Sequence, residues 1–256
     1  MMLVARDVTV SLARRPVLHG VSLTCRPGTL TAIVGPNGSG KTTLLRALTG
    51  DLPYGGSAQL NGSEIAGAGA AVLAQLRGVL AQSTQLTFPF TVLEVVRLGL
   101  TNGGGDARAM AALAQVGLQG HAGRVVQELS GGEQARVHLA RVLAQVWDPV
   151  VDHGPRWLFL DEPVAALDIG QQLTVMRLAR DYANRGGGVV AVMHDLNLSA
   201  MFADRVALML DGRLLADGPP AQVLTDAHLS RAYGCALRVN TVPANGPWLV
   251  PQAVGA

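Results

Sequence analysis

The run Gly35-Pro36-Asn37-Gly38-Ser39-Gly40-Lys41-Thr42 fits the spacing G-x-x-x-x-G-K-[ST] of a phosphate-binding loop. Glycines at these places let backbone N–H groups turn inward on an anion, and a helix starting where the run ends adds its positive end. From that position Lys41 can reach the β- and γ-phosphates of a nucleotide, and the Thr42 hydroxyl can ligate Mg²⁺. Lys41 is also the sole lysine of the chain, the other 19 of its 20 basic residues being arginine. A compact ammonium and a planar guanidinium are not interchangeable at a site shaped for one of them, so the exception is informative.

Two further patterns carry chemistry. Trp157-Leu158-Phe159-Leu160 is an apolar run ending in Asp161 and Glu162. Carboxylates at the C-terminal end of a buried strand sit where parallel sheets bind ligands. There Asp161 would hold Mg²⁺, directly or through water, and Glu162 would polarise an attacking water. Taken alone, the same two acids also suit the start of a solvated loop. Leu129-Ser130-Gly131-Gly132-Glu133 places a capping serine and two glycines at a helix start, where the backbone is free to approach an anion. Since S-x-x-E is itself a capping box, an ordinary helix N-terminus fits equally well.

These residues need elements to hold them. Residues 3–12 and 17–25 read as strands that pair as an antiparallel ribbon, and residues 29–34 as a short strand buried on both faces. The phosphate loop follows that strand and opens a helix closed by Gly50. Residues 57–60 are strand-like, and 66–71 are rich in glycine and alanine. Residues 91–100, 107–118 and 131–147 read as helices, with Asn102–Gly105 as a loop; the stretch from about 88 to 150 would form a helical subdomain. Residues 157–160, 188–193 and 205–210 are further strands, and 169–184 is a helix. Buried strands alternating with helices imply an α/β fold with a mostly parallel sheet. The chain reads as one domain spanning residues 1–256, with an irregular tail from about 240 to 256.

Composition narrows the function classes. No apolar run approaches the roughly 18 residues needed to span a bilayer, and the N-terminus lacks the charged and apolar regions of a secretory signal. A net charge of +2 with both signs interspersed gives no basic stripe, which argues against nucleic acid as the partner. Cys25 and Cys235 fit no metal-ligand spacing and read as reduced, buried thiols of a cytosolic protein.

Taken in order, GPNGSGKTT, LSGGE, FLDEP, AALD (165–168) and MHDLN (193–197) resemble the ATP-binding cassette family over essentially the whole chain to about residue 215. The resemblance implies a P-loop NTPase core with an N-terminal β ribbon and a helical signature-motif subdomain. It extends the nucleotide-binding run to Thr43 and assigns roles that local reasoning leaves open. Gln82 falls at the glutamine that touches Mg²⁺ and senses the transport partner. His194 falls at the switch histidine on the γ-phosphate, Glu162 at the catalytic glutamate, and Asp168 at an aspartate that communicates across a dimer. Ser130, Gly131 and Gly132 would contact nucleotide held by the opposite subunit, so two ATP molecules are closed between two chains in a head-to-tail homodimer.

The chain departs from the family in two places. The ribbon position that often stacks an aromatic ring on adenine is Leu12, and Val164 stands where a hydroxyl residue is usual. Leucine forfeits about 0.5–1.5 kcal/mol of aromatic stacking, which implies looser base selectivity.

Within the family, residues 194–225 and 88–100 are similar to the importers of iron–siderophores, haem and vitamin B12. The insertion before the Asp161 strand and the ending from Ala232 are most like the haem importers. The implied function is the ATPase of a haem importer, with the siderophore and B12 importers as the alternative and a soluble cluster-assembly ATPase behind them. The implied partners are two copies of a multi-spanning permease and, indirectly, a periplasmic haem-binding protein. The implied place is peripheral, on the cytoplasmic face of the bacterial inner membrane.

Overall fold

A computed structural model describes residues 1–82, 88–100 and 103–247. Residues 101–102 and 248–256, on which part of the predicted loop and tail fall, lie outside the described residues.

Strands β1 (Leu3–Leu12) and β2 (Arg15–Cys25) form the expected antiparallel ribbon. Their turn, Ala13-Arg14, has both residues at positive φ, 48° and 65°, which matches the twist of a tight hairpin. Neither residue is the usual glycine or asparagine, and this is why the second strand starts two residues before its sequence reading. Next come β3 (Leu30–Val34) and α1 (Lys41–Leu48), with Gly50 at φ +78° just beyond the helix. Strands β4 (Gly55–Leu60) and β5 (Ser63–Glu64) widen the ribbon into a four-stranded antiparallel sheet ordered β2-β1-β4-β5.

The glycine- and alanine-rich stretch does not stay irregular. It runs into α2 (Ala70–Leu76) and then directly into β6 (Arg77–Leu80), an edge strand of the central sheet. Three helices follow, α3 (Val92–Arg97), α4 (Gly105–Gln115) and α5 (Gly131–Gln145). Helix α3 is shorter than its pattern. Gly99 lies so close to the backbone of Arg141 that a Cβ would overlap its carbonyl, and the chain leaves the helix there. The buried faces of these helices share one apolar cluster with Leu30, Ala32 and Val34 of β3.

A small hairpin, β7 (Val150–Val151) and β8 (Gly154–Pro155), precedes β9 (Trp157–Asp161) and α6 (Ile169–Asn184). Then come β10 (Gly188–Val192), α7 (Leu196–Phe202), β11 (Arg205–Leu210), β12 (Arg213–Gly218), α8 (Pro220–Val223) and α9 (Asp226–Tyr233). The central sheet is ordered β12-β11-β3-β10-β9-β6, parallel except for β12. This is the α/β architecture of a P-loop NTPase.

Period-two alternation explains why both sheet faces are buried. On β9, Leu158 and Leu160 enter the cluster with α3–α6, while Trp157 and Phe159 enter a second cluster with α1 and the ribbon. Burying one such phenylalanine or leucine contributes about 1.5–3 kcal/mol. Cys25 is buried as expected, and its thiol pKa is pushed up to about 12 by burial. Cys235 is exposed, contrary to the sequence reading, because it follows the end of α9 in a surface turn.

Candidate nucleotide site

Four neighbouring parallel strands end on one edge of the sheet, and each delivers a group to it. In spatial order, β3 gives the loop from Gly35, β10 gives His194, β9 gives Asp161 and Glu162, and β6 gives Gln82 two residues past its end. Ligands of parallel sheets bind at such carboxyl ends.

The loop's glycines are required by its path. At Gly35, φ is +147°, and a Cβ would strike the Met209 carbonyl and come within 2.9 Å of Ser39 Oγ. Gly40 caps α1 at φ +97°, where a Cβ would press within 2.8 Å of Leu18. Lys41, 6% exposed, donates from Nζ to the carbonyls of Gly35 at 2.9 Å and Pro36 at 3.0 Å. Burial pulls its pKa down, against Glu162 and Asp161, which favour the charged form. Ser39 Oγ is buried without a hydrogen-bond partner. A buried ammonium whose hydrogen bonds go to backbone carbonyls, beside an unsatisfied hydroxyl, fits an incoming phosphate.

Thr42 Oγ1 donates to Asp161 Oδ1 at 3.1 Å. Asp161 is 4% exposed, and burial raises its pKa while Thr42 opposes the shift. A buried carboxylate beside a hydroxyl is a hard-oxygen donor pair. Among the described residues no group of three or more His, Cys, Asp and Glu side chains could hold a metal by itself. One carboxylate and one hydroxyl fit Mg²⁺, which keeps several waters and shares its shell with substrate phosphates.

Glu162 sits at φ +52°, an uncommon backbone setting for a residue other than glycine, with its N–H donating to Val192 O at 3.1 Å. Its Oε1 lies 2.5 Å from His194 Nε2, and its Oε2 accepts from Gln82 Nε2 at 2.9 Å. The carboxylate is therefore held between two side chains from different strands.

Around these groups lies a cavity of about 510 Å³, lined by Val17, Asn37, Gly38, Gly40, Lys41, Thr42, Thr43, Gln82, Glu162 and His194. Gly35, Pro36, Ser39 and Asp161 are not among the lining residues; Gly35 and Pro36 hydrogen-bond Lys41, and Asp161 hydrogen-bonds Thr42. The ribbon contributes Val17 to the lining, a residue that sequence reasoning missed, while Leu12 is an exposed side chain at the hairpin end.

The structure does not bring Ser130, Gly131, Gly132 or Asp168 to this cavity. Ser130 caps α5 in a capping box with Glu133, accepting from Glu133 N at 3.3 Å while its own N–H donates to Glu133 Oε2 at 2.9 Å. Asp168 caps α6, accepting from Gln171 N at 2.9 Å. The two helix starts adjoin, since a Cβ on Gly132 would lie 3.2 Å from the Ala166 carbonyl and 3.3 Å from Gln171.

The profile of the ABC transporter family matches residues 18–165. The chain is 60% identical to the hemin import ATP-binding protein HmuV of Jannaschia sp. (strain CCS1), over 98% of this chain and 94% of that one. It is also 60% identical to the protein of the same description from Roseobacter denitrificans, over 99% and 98%. Among solved structures, an ATP-binding cassette of an ABC transporter in its ADP conformation superposes with a TM-score of 0.77 at 25% identity, covering 91% of this chain and 98% of that one.

Proposed function

Because the chain belongs to the ABC transporter family of ATP-binding subunits, we propose that it is the ATPase that energises haem import across the cytoplasmic membrane. The observation that carries the cargo is the near-full-length identity of 60% to two hemin import ATP-binding proteins. The geometry that supports hydrolysis is Glu162, held at the mouth of the phosphate loop by His194 and Gln82.

In this reading the phosphate loop and Lys41 take the ATP phosphates, and α1 adds its positive end. Thr42 and Asp161 would hold Mg²⁺, with the Gln82 carbonyl joining them; the ion supplies charge neutralisation for the phosphates. In the structure Glu162 meets His194 through one carboxylate oxygen and Gln82 through the other. A bound γ-phosphate would attract His194 and Mg²⁺ would attract the Gln82 carbonyl, leaving the Glu162 carboxylate to accept a proton from the attacking water.

Ser130, Gly131, Gly132 and Asp168 complete the site only when a second chain presents them, which makes the working unit a head-to-tail homodimer. Phe88, edge-on to Phe90 just before α3, and Leu98, at the end of α3, are 67% and 59% exposed and suit the contact with a membrane permease. No described helix is long and apolar enough to cross a membrane. In this reading the chain sits on the cytoplasmic face, held there by the permease.

The test is reconstitution with a haem-importer permease, in vesicles that trap a haem-binding acceptor. ATP-driven haem accumulation, lost with Glu162→Gln, is the expected result. Accumulation of a ferric siderophore or of vitamin B12 instead would overturn the cargo. Full ATPase activity with no permease bound would favour a soluble role.

A further inference from the structure

Ser130 is held by more than the backbone of its own helix. Its hydroxyl donates to Glu133 Oε2 at 2.8 Å and its N–H donates to the same oxygen at 2.9 Å. One carboxylate oxygen thus fixes both polar groups of the residue. The other oxygen, Oε1, faces Nε2 of His121 at 3.4 Å. His121 lies outside α5, at the end of a 3₁₀ turn over Gln119–His121. Its Nδ1 is buried and has no hydrogen-bond partner. A proton there would be a buried donor without an acceptor, so a neutral ring carries its proton on Nε2, the nitrogen that meets Glu133. The Glu133 carboxyl is held below the usual carboxylate range, first by its hydrogen bonds with Ser130 and then by His121 and Arg124 nearby.

The turn that carries His121 is itself anchored. The residues after it run alongside the chain entering α3. There the Leu93 N–H donates to the Ala122 carbonyl at 3.0 Å, the Val92 N–H to the Arg124 carbonyl at 2.9 Å, and the Val126 N–H to the Phe90 carbonyl at 3.0 Å. Gln127 Nε2 adds a hydrogen bond to the Phe88 carbonyl at 2.6 Å. His121 therefore stands on a frame shared with α3 and reaches across to the first turn of α5. A capping box fixes Ser130 only relative to its own helix. A contact from outside the helix restrains the Glu133 rotamer as well, and through it the direction of the Ser130 hydroxyl.

We infer that His121 is a positioning residue for the signature motif, holding the second oxygen of Glu133 so that Ser130 is set for nucleotide on the opposite subunit. His121 does not line the cavity around Lys41, so it acts through Glu133 and not on the nucleotide of its own chain. The inference rests on the reading that Ser130 serves the partner's phosphate loop. It is independent of the cargo, and its test needs neither haem nor permease.

The test uses mixed dimers of full-length chains that hold one complete site. One chain carries Lys41→Ala and keeps its signature motif; the other carries Ser130→Phe and keeps its phosphate loop. The complete site joins that loop to the Ser130 of the Lys41→Ala chain. His121→Leu is added to one chain or to the other, and hydrolysis of ATP with Mg²⁺ is followed against ATP concentration. In the Lys41→Ala chain it should lower kcat/KM by about three- to fivefold, the upper range for a partly exposed ion pair. His121→Gln in the same chain, whose amide N–H can meet the same oxygen, should recover most of that loss. In the Ser130→Phe chain, where the motif is already blocked, His121→Leu should change kcat/KM by less than about 1.5-fold. Equal losses from the two placements would assign the effect to folding and overturn the inference. So would an unchanged kcat/KM with His121→Leu in the Lys41→Ala chain, or a His121→Gln no better than His121→Leu. If the parent mixture, with His121 intact in both chains, regains no hydrolysis, the reading of Ser130 falls first and takes the inference with it.

Discussion

Glu162 Oε1 and His194 Nε2 lie 2.5 Å apart, although 32 residues separate them and each follows a different strand. The contact exists because β9 and β10 are adjacent and parallel, in a register that pairs Asp161 with Val192. Their next residues therefore leave the sheet together. Glu162 completes the pairing by hydrogen-bonding its own N–H to the Val192 carbonyl while its φ turns positive.

This arrangement assigns different losses to the two residues. Glu162→Gln removes the proton acceptor while keeping shape, and turnover should fall by about 10²–10⁴-fold with ATP still bound. The bound dimer should then be separable by size-exclusion chromatography. His194→Ala should bind ATP with an affinity close to that of the unmodified chain and lose most of its hydrolysis. If either variant turned over at the unmodified rate, that residue would be removed from the chemistry.

Asp161 is a site where function opposes stability. Burial holds its pKa above the ordinary aspartate value in the folded chain, despite the hydrogen bond from Thr42 and the attraction of Lys41. The folded state therefore binds this proton more tightly than the unfolded chain does. Its contribution is most favourable below the ordinary aspartate pKa and is lost as pH rises through the raised one. Neutral Asp161→Asn should thus melt higher than the unmodified chain at pH 7.5 without nucleotide, by about 2–4 °C per kcal/mol recovered, while losing Mg²⁺-dependent hydrolysis. Calorimetry at pH 7.5 checks the sign, and a lower melting temperature would contradict it.

His138 works in the opposite direction. It is buried on α5, and burial, with Arg141 nearby, lowers its pKa to about 4. The unfolded chain takes up this proton near pH 6.5 and the folded one only near 4. Stability is therefore present above about pH 6.5 and is lost as pH falls toward 4. The loss amounts to about 2 kcal/mol by pH 5 if no other group intervenes. His138→Leu should flatten that part of the profile in urea titrations between pH 7 and pH 5, and an unchanged slope would exclude His138 as its source.

The parts of this site that were legible in sequence are those where one local rule has one cause. Gly35–Thr42 can be read because the phosphate path demands its glycines, and Trp157–Asp161 because a strand buried on both faces must be continuously apolar. Strand β6 was not legible, yet it carries Gln82. It has only four residues, and one is Gly78, which reads as a breaker. The structure shows why glycine stands there: a Cβ would come within 2.8 Å of the Val142 side chain as α5 crosses the strand. Val17 was illegible for another reason: its place in the lining depends on how the ribbon packs, and it has no local pattern. Ser130 was ambiguous because its capping box and its expected place against a partner's nucleotide need the same residues.

That ambiguity has a decisive test, because a composite site and a self-contained one respond differently to mixing. Lys41→Ala disables the phosphate loop, and Ser130→Phe blocks the signature motif while leaving the loop intact. Each homodimer should have little activity. In a mixed dimer of the two, one site combines both defects, while the other pairs the intact loop of the Ser130→Phe chain with the intact Ser130 of the Lys41→Ala chain. If Ser130 acts in trans, mixing the two inactive proteins should restore hydrolysis, up to about half that of the unmodified dimer per mixed dimer if the two sites fire independently. If Ser130 served the loop of its own chain, every site in the mixture would carry a defect and no activity would return. Since Ser130 and Gly132 lie outside the cavity that Lys41 lines, recovery is the expected result.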